Sequence, residues 1–188
     1  MRPDATTERI LRAHLREMPL HRVLIRTIEA RILLATPLPR PVLDIGSGDG
    51  HFGSILFPDG ADVGLDRGLR DLGESRGRRV YRLLVGADSG AMPFADGHFA
   101  SVVSNCVFEH IPDIDRTIAE IARVLRPGGT FACTVIGDRF SELLTDAGAW
   151  RRWGLGGLHR AYLGWYNRNA AHFHFEVGGP DCARRRGQ

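Results

Sequence analysis

The nine residues VLDIGSGDG at positions 42–50 constrain this chain more than any other stretch. Their apolar start reads as a buried strand, and Gly46-x-Gly48-x-Gly50 reads as the turn that follows it. Glycine accepts left-handed backbone conformations and lets a ligand approach the main chain where a side chain would stand in the way. A strand delivered into such a turn belongs to a sheet flanked by helices, and the remaining sequence keeps that alternation. Short apolar runs at 41–45, 61–65, 80–86, 99–104 and 130–136 predict five strands. Between the last two, the spacing predicts a helix over 113–125. Asp113 would cap it, Ile114, Ile118, Ile121 and Leu125 would share one face, and Pro127-Gly128-Gly129 would close it. Ahead of the sheet, 6–18 places Ile10, Leu11, His14, Leu15 and Met18 on one helical face, and 20–35 aligns Leu24, Ile25, Ile28, Ile32 and Ala35. The expectation is α/β: an open parallel sheet with right-handed crossovers and helices on both faces. At 188 residues the whole chain, 1–188, is expected to be one domain.

Composition narrows the chemistry. All 25 basic residues are arginine, so Schiff-base lysines, a G-K-[ST] phosphate loop and the Tyr-x-x-x-Lys pair of dehydrogenases are excluded. Cys106, Cys133 and Cys182 form no C-x-x-C, which speaks against a disulfide framework or a common zinc module and fits a reducing cytosol. No apolar run has the ~18 residues of a membrane span, and the N-terminus lacks the apolar core of a signal peptide. A cytoplasmic location is expected. The basic charge lies at the ends. Residues 1–40 hold eight Arg against four acids and 151–188 seven against two, whereas 41–150 hold ten against sixteen. The acidic centre, not a basic face, is where the candidate site falls.

Two further carboxylates stand at strand ends. Asp66 closes the run ADVGLD, where an acid is placed to accept from both hydroxyls of a ribose; the alternative is a cap for a helix over 67–73. Asp88, in VGADSGAMPF, can accept from an exocyclic amine, with Met92 and Phe94 offering an apolar wall for a flat base. Three carboxyl-end features on neighbouring strands converge on the crevice where open α/β sheets bind ligands. Together they predict a nucleoside site.

These segments, VLDIGSGDG, VGLD, ADSGAMPFADGHFASVVSNCVFEHIPD and EIARVLRPGGTFACTVI, resemble the successive motifs of class I S-adenosylmethionine-dependent methyltransferases over residues 40–137. The resemblance implies a Rossmann-like fold, S-adenosylmethionine as cofactor and methyl transfer to an O, N or C atom of a small-molecule acceptor. It implies that Gly46, Ser47 and Gly48 lie along the methionine part of the cofactor and that Asp44 steers its amino group. Asp66 would take the ribose hydroxyls, and Asp88 the adenine amine with the Ser89 amide nearby. Asn105 would face the amino end through its backbone carbonyl. Strand four ends in SNCVFEH rather than [DN]-P-P-[YF], and no Pro-Cys dipeptide occurs, which argues against a nucleic-acid acceptor.

On the acceptor side, His110 is the candidate catalytic base, its reference pKa of ~6.5 suiting it to take a proton from a hydroxyl or amine; the alternative is a capping or packing role. His172, His174 and Glu176 alternate onto one face of a strand, but lack an evident fourth ligand, so no metal is expected. The aromatic stretch within 138–176 is expected to form a lid, and 177–188 an irregular tail. A typical sheet of this family has seven strands, and only five candidates are present. That predicts a sheet edge left open along strand five, self-association through it, and a competing reading of the chain as a truncated or partner-subunit protein that binds cofactor but catalyses weakly.

Overall fold

A five-stranded parallel sheet in the order β3-β2-β1-β4-β5 organises the protein. The computed structural model describes residues 4–135. Two helices, α1 (Ala5–Leu15) and α2 (Leu20–Leu34), precede β1 (Val42–Ile45). The chain continues through α3 (His51–Leu56), β2 (Ala61–Asp66), α4 (Leu69–Arg78), β3 (Tyr81–Gly86), β4 (Phe99–Asn105), a 3-10 turn (Phe108–His110), α5 (Ile114–Val124) and β5 (Leu125–Thr134). All five expected strands form. The chain divides into two compact units, Met1–Val107 with Asp113–Thr134, and Phe108–Pro112 with the chain from Val135 onward. The first unit contains the whole sheet.

The local reasons follow from the residues. Asp4 caps α1 through a 2.8 Å bond accepted from the Thr7 amide, and Pro19 stands at the N-cap of α2, where the helix needs no amide donor. Asp113 caps α5 as expected, accepting from the Arg116 amide at 3.1 Å. β1 and β4 are central and covered on both faces, so their residues are buried almost without exception and read as continuous apolar runs. Leu33 of α2, Val42, Leu56 of α3 and Val103 form one core cluster, against which Ala132 of β5 packs. At the amino edge of the sheet, Asp62 accepts from the Val42 amide at 2.8 Å and from Nε and Nη2 of Arg40 at 3.0 and 2.8 Å.

Two boundaries depart from expectation. α1 stops at Leu15, short of Met18, with Leu15 itself 48% exposed. β5 begins at Leu125, directly where α5 ends, rather than at Thr130. Leu125 pairs with Phe99 and Thr130 with Ser101, so five residues of β5 answer two of β4. Pro127 cannot donate to the ladder and Gly128 takes φ +74°; together they bulge out of the strand rather than delay it. Among the described residues β5 is the last strand of the sheet. The expected lid, the tail, Ile136, and His172, His174 and Glu176 lie outside the described residues.

Candidate functional site

The crevice lies at the carboxyl ends of β1 and β2, beside β4, where the strand order reverses from β1-β2-β3 to β4-β5. Gly46, Gly48 and Gly50 all take left-handed backbone angles, φ +73°, +51° and +78°. At two of them the reasons differ sharply. A Cβ on Gly46 would stand 2.2 Å from a Val107 methyl, whereas one on Gly48 would meet no atom within 4 Å. Gly46 is therefore required by packing. Gly48 opens the turn toward space that a ligand can fill. The amides of Gly46 and Ser47 both donate to the Leu65 carbonyl, at 2.7 and 3.1 Å, which holds the turn against the end of β2. The Ser47 hydroxyl is buried and has no hydrogen-bond partner among the described residues.

Asp66 is held from two sides. One carboxylate oxygen accepts from the Gly48 amide at 2.9 Å and the other from the Gly68 amide at 2.7 Å. It does not cap a helix: α4 starts at Leu69 with Gly68 as its N-cap and no side-chain cap bond. Each oxygen keeps a further lone pair, so the carboxylate is oriented but not exhausted as an acceptor. Asp44, on β1, is buried and accepts from the Tyr81 hydroxyl. Burial pushes its pKa up to about 7, the Tyr81 bond opposes that rise, and the nearby Asp66 charge adds to it.

Asp88 lies past β3, half-exposed. It accepts from the Gly90 amide at 2.7 Å, with the Arg67 guanidinium 3.7 Å away. Ser89 is buried, its hydroxyl 3.1 Å from that of Thr117 on α5. Of the apolar wall expected from Met92 and Phe94, Phe94 is turned away. Phe94 packs edge-on against Phe99, 5.0 Å between ring centres, at the opposite, amino end of β4, and Met92 is buried. The carbonyls of both accept from Arg123, which draws this segment toward α5 instead of the crevice.

Asn105 ends β4, but its side chain is engaged in a cluster the sequence did not announce. Its amide donates to Glu29 at 3.0 Å and to the Thr134 hydroxyl, and its oxygen accepts from Arg26 at 2.8 Å. Cys106, at φ +51°, donates to Glu29 at 3.2 Å. Helix α2 is thereby fastened to the carboxyl ends of β4 and β5. His110 is described in the second unit, exposed, at the end of the 3-10 turn. It does not cap α5, a role Asp113 fills.

A second network surrounds the glycine turn. Arg78, the last residue of α4, donates to the Asp49 carbonyl at 2.9 Å and to its carboxylate at 3.0 Å. The same guanidinium grips both oxygens of Glu17. Glu17 faces the His51 ring at 3.2 Å, and His51 shares a 3.0 Å bond with His14. His14 is fully buried on α1 and stacked near Phe52. Burial first, then His51, lowers its pKa to about 4; Arg26 and Glu29 of α2 are the other charges near it. In the unfolded chain the same ring takes up its proton near ~6.5. Stability is therefore expected to be whole above pH ~6.5 and to fall by about 2 kcal/mol as pH drops toward 4, because the unfolded chain binds the proton first. Urea midpoints at pH 7 and pH 4.5 check this, with His14→Phe flattening the difference.

Among the described residues no cluster of His, Cys, Asp or Glu is arranged to hold a metal ion. An open parallel sheet with a glycine turn, a pinned carboxylate after β2 and a third acid after β3 defines a nucleoside-binding α/β domain. A family model described as "Methyltransferase domain" matches residues 43–133. The chain is similar, at 37% identity over 121 residues, to a malonyl-[acyl-carrier protein] O-methyltransferase of Methylococcus capsulatus, the match covering 61% of this chain and 43% of that protein. It is 31% identical over 113 residues to a demethylmenaquinone methyltransferase of Symbiobacterium thermophilum, covering 55% and 45%. Among solved structures, an S-adenosylmethionine-dependent methyltransferase of Thermotoga maritima superposes with a TM-score of 0.59 at 22% identity, covering 78% of this chain and 68% of that one. That likeness shows the fold. The matched stretch runs from β1 to β5, and the fold it adopts is that of S-adenosylmethionine-dependent methyltransferases. The match to the first relatives spans only 43%, 40% and 42% of their length.

Proposed function

We propose that the protein transfers a methyl group from S-adenosylmethionine to a small-molecule acceptor. The observation that carries this reading is the Asp66 carboxylate, clasped by the Gly48 and Gly68 amides with lone pairs to spare, beside a glycine whose Cβ direction is empty. The site residues fit the cofactor on two counts. The Ser47 hydroxyl is a buried polar group without a partner among the described residues, and Gly48 leaves a cradle that any side chain would fill. When bound, S-adenosylmethionine supplies an electrophilic methyl on a sulfonium. Asp66 would accept from the ribose hydroxyls, Asp88 and the Ser89 amide would face the adenine edge, and Gly46–Gly48 would line the methionine portion. Asp44 and the Asn105 carbonyl would face its amino end. His110 is the proposed proton acceptor for the acceptor group, and its test is turnover against cofactor affinity in His110→Ala: only the former should fall.

The named relatives act on a malonyl group and on demethylmenaquinone, which supports an acyl or quinone-like acceptor over nucleic acid. No described helix is long and apolar enough to cross a membrane, in keeping with action in the cytoplasm. Self-association along β5 is part of the same proposal, read by light scattering. Calorimetry tests the central point. S-adenosylmethionine and S-adenosylhomocysteine should bind and NAD should not, because residues 43–133 match a methyltransferase domain model. Binding of NAD alone would overturn the reading.

A further inference from the structure

The glycine turn has little stiffness of its own. Three of its five residues are glycines in left-handed conformations, and glycine resists neither those angles nor departure from them. Its fourth residue, Asp49, is gripped from outside. Arg78 donates Nε to the Asp49 carbonyl at 2.9 Å and Nη2 to its carboxylate at 3.0 Å, so backbone and side chain of one turn residue are held by one guanidinium. Arg78 is itself oriented by Glu17, which takes bonds from both of its terminal nitrogens. Glu17 lies in the link between α1 and α2, outside the sheet altogether. Its carboxylate is steadied on the other side by His51, the first residue of α3, whose far nitrogen is tied to the buried His14 of α1.

Nδ1 of His51 stands 3.2 Å from the Glu17 carboxylate, Nδ1 of His14 and Nε2 of His51 share one hydrogen bond, and the buried Nε2 of His14 has no partner among the described residues. The contacts therefore run from α1 through α3 and α4 into the cofactor turn, through three charged side chains and two imidazoles.

We propose that Arg78 and Glu17 are positioning residues for the cofactor: the N-terminal helix, through Glu17 and the histidine pair, sets the geometry of the Gly46–Gly50 turn and so governs affinity for S-adenosylmethionine. This rests on the cofactor reading above. Neither residue touches the ligand. Both act through Asp49, which the motif contains and the grip explains.

The test uses the full chain and S-adenosylhomocysteine as probe. Arg78→Met should weaken binding ~10-fold or more, in line with the loss of charge-assisted bonds that orient the turn. Glu17→Gln should weaken it in the same direction but less, and the double variant should be no worse than Arg78→Met alone, because Glu17 works through Arg78. Arg78→Lys, which restores a charge for Glu17 but not the two-pronged hold on Asp49, should recover part of the loss. Amide hydrogen exchange at Gly48 and Gly50, measured without ligand, should quicken in Arg78→Met. A folded Arg78→Met with unchanged affinity and unchanged exchange overturns the proposal. If Arg78→Met does not fold, Glu17→Gln decides alone, and unaltered binding in it overturns the proposal. If the unaltered protein fails to bind the probe, the cofactor reading falls, and exchange at the two glycines still decides whether these contacts hold the turn.

Discussion

Replacing Asp66 by alanine is expected to weaken binding of S-adenosylmethionine by between about 10- and 100-fold, the range that follows from hydrogen bonds made by a charged group. Two losses combine. The carboxylate no longer accepts from the ribose, and the Gly48 and Gly68 amides lose the group that draws the turn after β1 toward the turn after β2. Asp66→Asn separates them. Its single carbonyl oxygen can keep one amide and one ligand bond, so it should fall between wild type and alanine. Calorimetric titration reads the affinities, and thermal unfolding checks that both variants remain folded. An alanine variant that binds as wild type does would reduce Asp66 to a clasp between two loops.

The two glycines of the turn should respond oppositely to the same small change. Gly46→Ala puts a methyl 2.2 Å from a Val107 methyl at a residue with φ +73°. Left-handed strain of ~1–2 kcal/mol and overpacking of ~1–3 kcal/mol add to a destabilisation of about 2–5 kcal/mol. Gly48→Ala meets nothing within 4 Å at φ +51°, so only the backbone strain of ~1–2 kcal/mol should appear in the folded protein. Its methyl instead occupies the space left for the ligand. Denaturant unfolding of the pair should show a large loss for Gly46→Ala and a small one for Gly48→Ala, while binding should fail in the latter although it is folded. Equal melting behaviour in the two would contradict the packing argument.

Much of the scaffold was legible because a parallel sheet writes itself plainly. Strands buried on both faces must be apolar throughout, so PVLDI and FASVVS stand out, and glycines at strand ends mark the turns. What was not legible depends on distant partners. His14 sat on an apolar helical face as an oddity, and nothing near it in sequence identifies His51, 37 residues away, as its partner. Asp49 can be read as part of a glycine motif, but nothing near it in sequence identifies Arg78, 29 residues away, as its partner. Phe94 had the right chemistry for a base-binding wall and the wrong location. Arg123 claims the carbonyls of that segment, and no local pattern reports such a contact. The early start of β5 was hidden by Pro127 and the glycines after it, which signal a turn whether the strand pauses or bulges.

The opposite edges of the sheet treat their carboxylates differently. Asp62 at the amino edge is neutralised by Arg40, with Arg82 a further 3.6 Å away. Asp44 and Asp66 at the carboxyl edge have no arginine or histidine ion pair among the described residues, only a tyrosine hydroxyl and backbone amides. In a chain whose net charge is +3, these two carboxylates of the crevice thus stand without a cationic partner among the described residues, unlike Asp88 beside Arg67 and Asp49 beside Arg78. Under the proposed activity a sulfonium would enter such a place as a cation and, having given up its methyl, would leave as a neutral thioether, without the attraction these carboxylates offer the donor.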